Sequence, residues 1–392
     1  MRLTAGGNYS GAAAIAVGAE QTPKLKEKVD HIMRFFMPTE LLEEENCVEK
    51  YSEKLSALGT NAFIVTGKNS ARKCGAFDDV INALDKLGIG WSEFAEVEEN
   101  PSVETVMKAR DLAIEKKADF VIGIGGGSPL DAAKAIALMA AHPEAGADSL
   151  YGGELDAKTL PLAAVPTTCG TGSEATGVAV LTRHDKKTKG SIPYRIFPKV
   201  SFIDGKYLID APMSLIIHTA VDALAHIVES MFMKKADDYS RMAALQGLRV
   251  WVKSKPVLMG LRPLRMEDRR NLMCAASLAG IAIAQTGTSI PHALSYPLTY
   301  DLGIPHGKAV GYFLGSFLEA APEEERWELL TAGGFRNVKE FKDFLTKVLG
   351  ETEVTQETLD RGYDMVKDDP KRMECNIFEV THEDLRRIIY EK

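Results

Sequence analysis

Apolar positions in the first half of the chain fall into short continuous runs separated by amphipathic stretches. Ala62–Thr66 is an apolar run closed by Gly67, Phe77–Leu87 has helical spacing, and Trp91–Phe94 is a second short run. Val103–Lys116 returns to helical spacing and leads into Phe120–Ile124, and Leu162–Val165 and Val200–Ile203 are two further apolar runs. The runs read as buried strands and the amphipathic stretches as helices. Strand, helix, strand, helix in this order predicts parallel strands with crossover helices, whose ligands lie beyond the carboxyl ends of the strands. Val178–Thr182 and Ser191–Tyr194 flank the polar stretch His184–Gly190 and read as an antiparallel hairpin at the margin of the sheet. After Asp210-Ala211-Pro212 the pattern changes to long helical runs, Ser214–Lys235, Asp237–Ser254, Met266–Thr286 and several beyond Pro305. The expected organisation is a loose extension over residues 1–28, an α/β nucleotide-binding domain over 29–208 and an all-α domain over 209–392, closely packed through a short junction.

Composition narrows the partners. A chain of 392 residues with 45% hydrophobic and 26% charged residues is long enough for two packed units. Its net charge of −8 repels a phosphate backbone, and it has no basic run interleaved with aromatics, so no nucleic-acid partner is expected. The apolar run Ala12–Val17 is too short to span a membrane, and no membrane partner is expected either. Five cysteines without a CxxC spacing, and odd in number, fit a reducing cytoplasm better than a disulfide framework.

Two polar loops follow buried runs. Phe120-Val121-Ile122-Gly123-Ile124 leads into Gly125-Gly126-Gly127-Ser128-Pro129-Leu130-Asp131, a strand, a glycine turn and a helix start. Successive glycines let backbone N–H groups approach a pyrophosphate, and the following helix directs its positive end at the same spot. Pro129 suits a first helical position, and Ser128 and Asp131 have the spacing of a capping box. Neither the P-loop nor the G-x-G-x-x-G fingerprint is present, so the phosphate architecture differs from both. Lys134 has two readings, a phosphate contact or a solvated partner of Asp131. The second loop, Pro166-Thr167-Thr168-Cys169-Gly170-Thr171-Gly172-Ser173-Glu174, offers hydroxyls for phosphate, ribose or a nicotinamide amide.

Asp222 and His226 lie four apart in a helical run and so project from one face. His292, and His306 on a Pro305–Gly307 turn, complete a set of one carboxylate and three imidazoles suited to Fe2+ or Zn2+. His218, one turn before Asp222, reads as a supporting or structural residue.

Gly-Gly-Gly-Ser-Pro-Leu-Asp-Ala-Ala-Lys at 125–134, Pro-Thr-Thr-Cys-Gly-Thr-Gly-Ser-Glu at 166–174, Asp-Ala-Leu-Ala-His at 222–226 and Ile-Pro-His-Gly at 304–307 together resemble the iron-containing (group III) alcohol dehydrogenases. The resemblance covers roughly residues 35–390 and implies a dehydroquinate-synthase-like fold, with a Rossmann-like N-terminal domain and a helical C-terminal domain. It implies a metal held by Asp222, His226, His292 and His306, a pyrophosphate at Gly125, Gly126, Gly127 and Ser128, and cofactor-side hydroxyls at Thr167, Thr168 and Thr171. The activity implied is hydride transfer between NAD(P)(H) and a small alcohol or aldehyde. A homodimer is one assembly open to the chain.

Three positions depart from that family's pattern. Many members carry a further histidine four residues after the third ligand, where this chain has Tyr296, which leaves proton relay to the phenol or to solvent. Met37-Pro38-Thr39 runs into the acidic Glu40–Asn46 rather than a glycine-rich turn, which is expected to alter the edge of the cleft. NAD-preferring members often place an aspartate after the first strand; here Gly67, Lys68, Ser70 and Arg72 stand there with no acid, favouring NADP(H) over NAD(H). Two rival readings are a metal-dependent lyase of the dehydroquinate-synthase type, which typically uses fewer histidine ligands, and a non-catalytic nucleotide-binding scaffold.

Overall fold

The structure, a computed structural model, describes residues 33–391. The expected extension at residues 1–28 and the first residues of the expected α/β domain lie outside the described residues. The strands are β1 (Glu40–Glu43), β2 (Asn61–Gly67), β3 (Gly90–Val97), β4 (Phe120–Gly125), β5 (Leu162–Pro166), β6 (Val180–Arg183), β7 (Thr188–Ser191) and β8 (Val200–Ile203). Six of them form one sheet in the order β1-β8-β5-β4-β2-β3, and every pairing in it is parallel. All six residues of β4 are buried, as expected of a central parallel strand covered on both faces.

Three crossover helices, α1 (Ala76–Leu87), α2 (Val103–Glu115) and α3 (Gly127–Ala140), cover the faces. Side chains alternate along each strand and so divide the core. Phe63, Val65 and Val121 pack with Val106, Ala132 and Ile136 of α2 and α3, whereas Ala62, Ile64 and Ile122 pack with Phe77, Val80 and Leu84 of α1. With β3 on one side of β2 and β4 on the other, successive crossovers leave in opposite directions. A crevice therefore opens at the carboxyl ends of β2 and β4, where a parallel sheet binds its ligands.

The helical part runs through α4 (Met213–Phe232), α5 (Asp238–Trp251), α6 (Met266–Thr286), α7 (Ile290–Leu302), α8 (His306–Ala320), α9 (Glu323–Ala332), α10 (Val338–Leu349), α11 (Gln356–Val366) and α12 (His382–Tyr390). From Ala220 to Phe232 every residue of α4 is buried, which makes it the central rod of this layer. The helical core also takes in Cys169, Ile203 and Leu208 from the α/β side, and residues 33–391 fall within one compact unit.

Several expectations need correction. The acidic segment after Met37-Pro38-Thr39 is a parallel edge strand, β1, paired with β8. Its alternation of charged ends around Leu41 and Leu42 suits an edge position. The hairpin is tighter than expected, with a 3-10 turn at His184–Lys186, and β6 and β7 form a separate two-stranded sheet rather than the margin of the main one. The main-chain bond from Thr182 N to Pro101 O ties it to the loop after β3. The first described residues belong with the helices: Arg34 N donates to Asp237 Oδ2 at 3.2 Å and Phe36 N to Gln285 Oε1 at 3.0 Å.

Candidate metal centre and phosphate loop

Helical spacing puts Asp222, His226 and Glu229 on one face of α4, at steps of four and three. α7 supplies His292 and Tyr296, and α8 opens on His306 just after Pro305. Gly307 lets α8 begin there, because a Cβ at that position would fall 1.8 Å from the His218 carbonyl oxygen of α4. His218 thus contributes its backbone carbonyl to the close packing.

The four expected ligands converge on one carboxylate oxygen. Asp222 Oδ1 lies 3.9 Å from His226 Nε2, 3.5 Å from His292 Nε2 and 3.7 Å from His306 Nε2. Asp222, His292 and His306 offer ligand atoms all within 4.8 Å of one another. His226 joins them by stacking on His292 with ring centroids 4.5 Å apart.

The outer ring nitrogens fix what faces inward. His226 Nδ1 lies 3.3 Å from the Gly170 carbonyl, an acceptor only, so Nδ1 carries the proton. His292 Nδ1 donates to Glu229 Oε1 at 2.6 Å, and the second Glu229 oxygen accepts the Ser289 N–H. Ser295 spends its hydroxyl proton on the His292 carbonyl, which leaves its oxygen to face His306 Nδ1 at 3.5 Å. In the neutral rings, three Nε2 lone pairs therefore face one carboxylate. Asp222 Oδ1 and His292 Nε2 are buried and lack any hydrogen-bond partner. Polar atoms so placed are costly unless something binds them. Ligands on a tetrahedral ion at about 2.1 Å stand roughly 3.4 Å apart, close to the observed spacings, so the residues fit a divalent cation.

Electrostatics favour neutral donor rings at His226 and His306, whereas His292 holds its proton more tightly while no cation is bound. Burial would raise the Asp222 carboxyl, but the surrounding imidazoles hold it well below the carboxylate range. Burial holds His226 and His306 below the ordinary histidine value. At His292 burial acts in the same sense, yet Glu229 and Asp222 outweigh it and push the imidazole up to about 9.

The glycine turn lies at the crevice. β4 ends at Gly125 with φ 151, and a Cβ at Gly127 would fall 2.6 Å from Thr171 Cγ2, so the turn closes directly on the second loop. α3 begins at Gly127 with Gly126 as its N-cap, which places Pro129 two residues inside rather than first. The capping box is absent. Ser128 Oγ accepts the Asn100 N–H at 3.0 Å, and Asp131 accepts Ser173 Oγ at 2.6 Å and Val180 N at 2.9 Å. Neither expected role of Lys134 holds in full. It is completely buried, 3.7 Å from Asp131, and donates to Ser173 Oγ at 2.6 Å and the Val178 carbonyl at 2.8 Å. Asp131 and Lys134 together brace the second loop from beneath. In that loop Thr167 is buried, Thr168 and Thr171 are partly exposed beside the glycine turn, and Thr171 Oγ1 accepts the Ser173 N–H at 3.2 Å.

At the end of β2, Gly67 is partly buried and Lys68 and Ser70 are exposed. The segment after β2 has no acid of its own, as expected, but one reaches it from the neighbouring strand. Glu93, from the neighbouring β3, receives both guanidinium nitrogens of Arg72, at 2.7 and 2.6 Å, and the Thr66 hydroxyl at 3.1 Å.

Two further residues were not anticipated. Glu229 continues the Asp222–His226 face, a spacing visible in the sequence. Lys189, in a run that read as a solvated turn, is 9% exposed and donates to Asn100 Oδ1 at 2.5 Å. Burial lowers its ammonium to about 8 against the pull of Asp222 and Asp131, so its charge is felt by both the metal-site carboxylate and the phosphate loop. Tyr296 lies beside His306, ring centroids 6.5 Å apart.

Residues 38–205 match the family model described as iron-containing alcohol dehydrogenase, and residues 216–390 that of the Fe-containing alcohol dehydrogenase family, C-terminal. The long-chain primary alcohol dehydrogenase of Thermoanaerobacter ethanolicus is 33% identical over 263 residues, 66% of each chain. The NADPH-dependent butanol dehydrogenase of Clostridium saccharobutylicum is 30% identical over 293 residues, 72% of each. Among solved structures, an iron-containing alcohol dehydrogenase from Thermotoga maritima superposes with a TM-score of 0.84 at 34% identity, covering 91% of this chain and 98% of that one.

Proposed function

The chain belongs to the iron-containing alcohol dehydrogenase family and is an oxidoreductase of alcohols, and from that premise we propose a site built on one divalent ion. Asp222, His226, His292 and His306 would hold Fe2+ or Zn2+ at the α4–α7–α8 junction. The observation that carries this is the convergence of three Nε2 atoms on the Asp222 carboxylate, with Asp222 Oδ1 and His292 Nε2 buried and unpartnered. When bound, the ion would supply Lewis acidity toward the oxygen of a small alcohol or aldehyde, and a nicotinamide would supply the hydride donor or acceptor.

The chain's own residues do the positioning. Gly125, Gly126, Gly127 and Ser128 present backbone N–H groups and the start of α3 to the pyrophosphate. Thr168 and Thr171 line the adjoining loop, and Thr167 closes it on the sheet through its N–H to the Gly125 carbonyl at 2.8 Å. Glu229, Gly170 and Ser295 orient the three imidazoles. Tyr296 serves as the proton relay beside His306, its phenol pushed up by burial and so protonated at neutral pH.

NADP(H) is proposed over NAD(H), supported by the exposed cation Lys68, with Arg72 beside it paired to Glu93, and by the NADPH-dependent relative. We further propose a cytoplasmic enzyme, in keeping with five free thiols, and a homodimer. The lyase and scaffold readings fall with family membership.

The test is to strip the purified chain with a chelator, restore Fe2+ or Zn2+, and follow NADPH and NADH consumption with short-chain aldehydes. Activity is expected to return with the ion and to be lost in His292→Ala. A rate unaffected by chelation, or full activity in that variant, overturns the metal role.

A further inference from the structure

The crevice between the carboxyl ends of β2 and β4 sets where a dinucleotide lies. With its pyrophosphate at Gly125–Gly127, the adenosine ribose extends toward the neighbouring strand end, Thr66 and Gly67, which pairs directly with β4. The side chains standing there are Lys68, Ser70 and Arg72, and from β3, Glu93.

Arg72 is held in place on two sides. Its guanidinium lies over the Phe77 ring with 3.9 Å to the centroid, and it makes a bidentate pair with Glu93 at 2.7 and 2.6 Å. Glu93 is fixed in turn by the Thr66 hydroxyl, and its side chain is only 15% exposed against 45% for Arg72. A fork matched to a carboxylate in this way is equally matched to a phosphate, and cannot serve both edge-on at once. Lys68 is exposed and makes no ion pair among the described residues, so it stays available to a phosphate.

We infer that Glu93 is a specificity-determining residue for the cofactor: it occupies Arg72 and withholds that guanidinium from a 2′-phosphate. NADP(H) must displace Glu93 from Arg72 to gain the fork, whereas NAD(H) leaves the pair intact. The chain's discrimination between the two cofactors is therefore smaller than its two cations alone would give. The control lies on β3 rather than in the loop after β2. This rests on the proposed nicotinamide-dependent activity.

The experiment measures kcat and KM for NADPH and NADH with one short-chain aldehyde, in the metal-loaded wild type, Glu93→Gln and Arg72→Ala. Glu93→Gln is expected to lower the KM for NADPH about tenfold with little change for NADH. Arg72→Ala is expected to raise the KM for NADPH and leave NADH nearly unchanged, and cofactor binding followed by nicotinamide fluorescence is expected to move in parallel. An unchanged NADPH KM in Glu93→Gln, or a ratio altered only because NADH binds worse, overturns the inference while leaving the oxidoreductase reading in place. Absence of turnover with either cofactor in the loaded wild type overturns that reading, and the fluorescence titration then decides the Glu93 inference by itself.

Discussion

Replacing Glu229 by Gln keeps the shape of the side chain and removes its charge, at a position where both oxygens are used. One oxygen accepts His292 Nδ1–H at 2.6 Å and the other the Ser289 N–H, and the residue is fully buried. An amide offers one acceptor, so one of the two donors must face the new NH2 group. If Ser289 loses its acceptor, a buried unsatisfied pair of donors costs about 1–3 kcal/mol. If His292 loses it, Nδ1 must become the acceptor and the ring proton moves to Nε2, where it points at Asp222 and blocks the lone pair meant for the ion.

Loss of a carboxylate behind a ligating histidine typically lowers metal affinity 10–100-fold, about 1.4–2.7 kcal/mol. The second arrangement would sit at the upper end of that range. The assay is a competition titration of Fe2+ or Zn2+ against a chelator, paired with denaturant unfolding of the metal-free protein. Expected are an affinity reduced at least tenfold in Glu229→Gln and a larger share of it retained in Glu229→Asp. Metal affinity within twofold of wild type would refute the reasoning, and so would a loss fully accounted for by destabilisation of the metal-free protein.

Three further substitutions probe how the fold holds the site. Gly307→Ala puts a Cβ 1.8 Å from the His218 carbonyl, so α8 must shift and carry His306 with it. A metal affinity reduced more than tenfold is expected by the same titration. Gly303→Ala, at φ 64 with open space around it, is the control: about 1–2 kcal/mol of stability lost and metal affinity unchanged. Lys134→Met leaves the half-buried Asp131 without its nearest cation, a loss of about 3 kcal/mol in urea unfolding; unchanged stability would show that the Asp131–Lys134 brace is not needed.

What the sequence made legible follows from how local each signal is. β4 was readable because a strand buried on both faces is apolar throughout, and the Asp222–His226 pair because helical geometry is set by spacing alone. β1 was not, since Glu40-Leu41-Leu42-Glu43 has the composition of a solvated segment and becomes a strand only through β8. Glu229 was readable in principle as the next residue on the same face, but a lone glutamate is usually solvated and its partner His292 is 63 residues away. The lysines were the hardest. Nothing local separates buried Lys134 and Lys189 from the exposed lysines around them, because their partners Ser173, Val178 and Asn100 come from other elements. The Arg72–Glu93 pair fails in the same way: its halves lie on β3 and beyond β2, so a reading confined to the loop after β2 found no acid.

The second loop is where these separate pieces become one device. Its threonines read as cofactor hydroxyls, yet much of the segment is spent on holding other parts together. The Gly170 carbonyl fixes the His226 tautomer, Thr168 and Thr171 lie against Gly126 and Gly127, Ser173 is bound by Asp131 and Lys134, and Glu174 accepts the Ser277 hydroxyl of α6 at 2.7 Å. A Cβ at Gly172 would lie 2.5 Å from Gly280, so here the backbones of loop and helix are already in contact. One rigid segment thus touches the phosphate loop on one side and an imidazole of the metal centre on the other. Hydride transfer requires donor and acceptor carbons aligned near 3–3.5 Å, and a displacement of about 1 Å costs orders of magnitude in rate. Under the proposed function, a loop that registers a nicotinamide against the substrate must be stiff before it is reactive, and the buried contacts of this segment supply that stiffness.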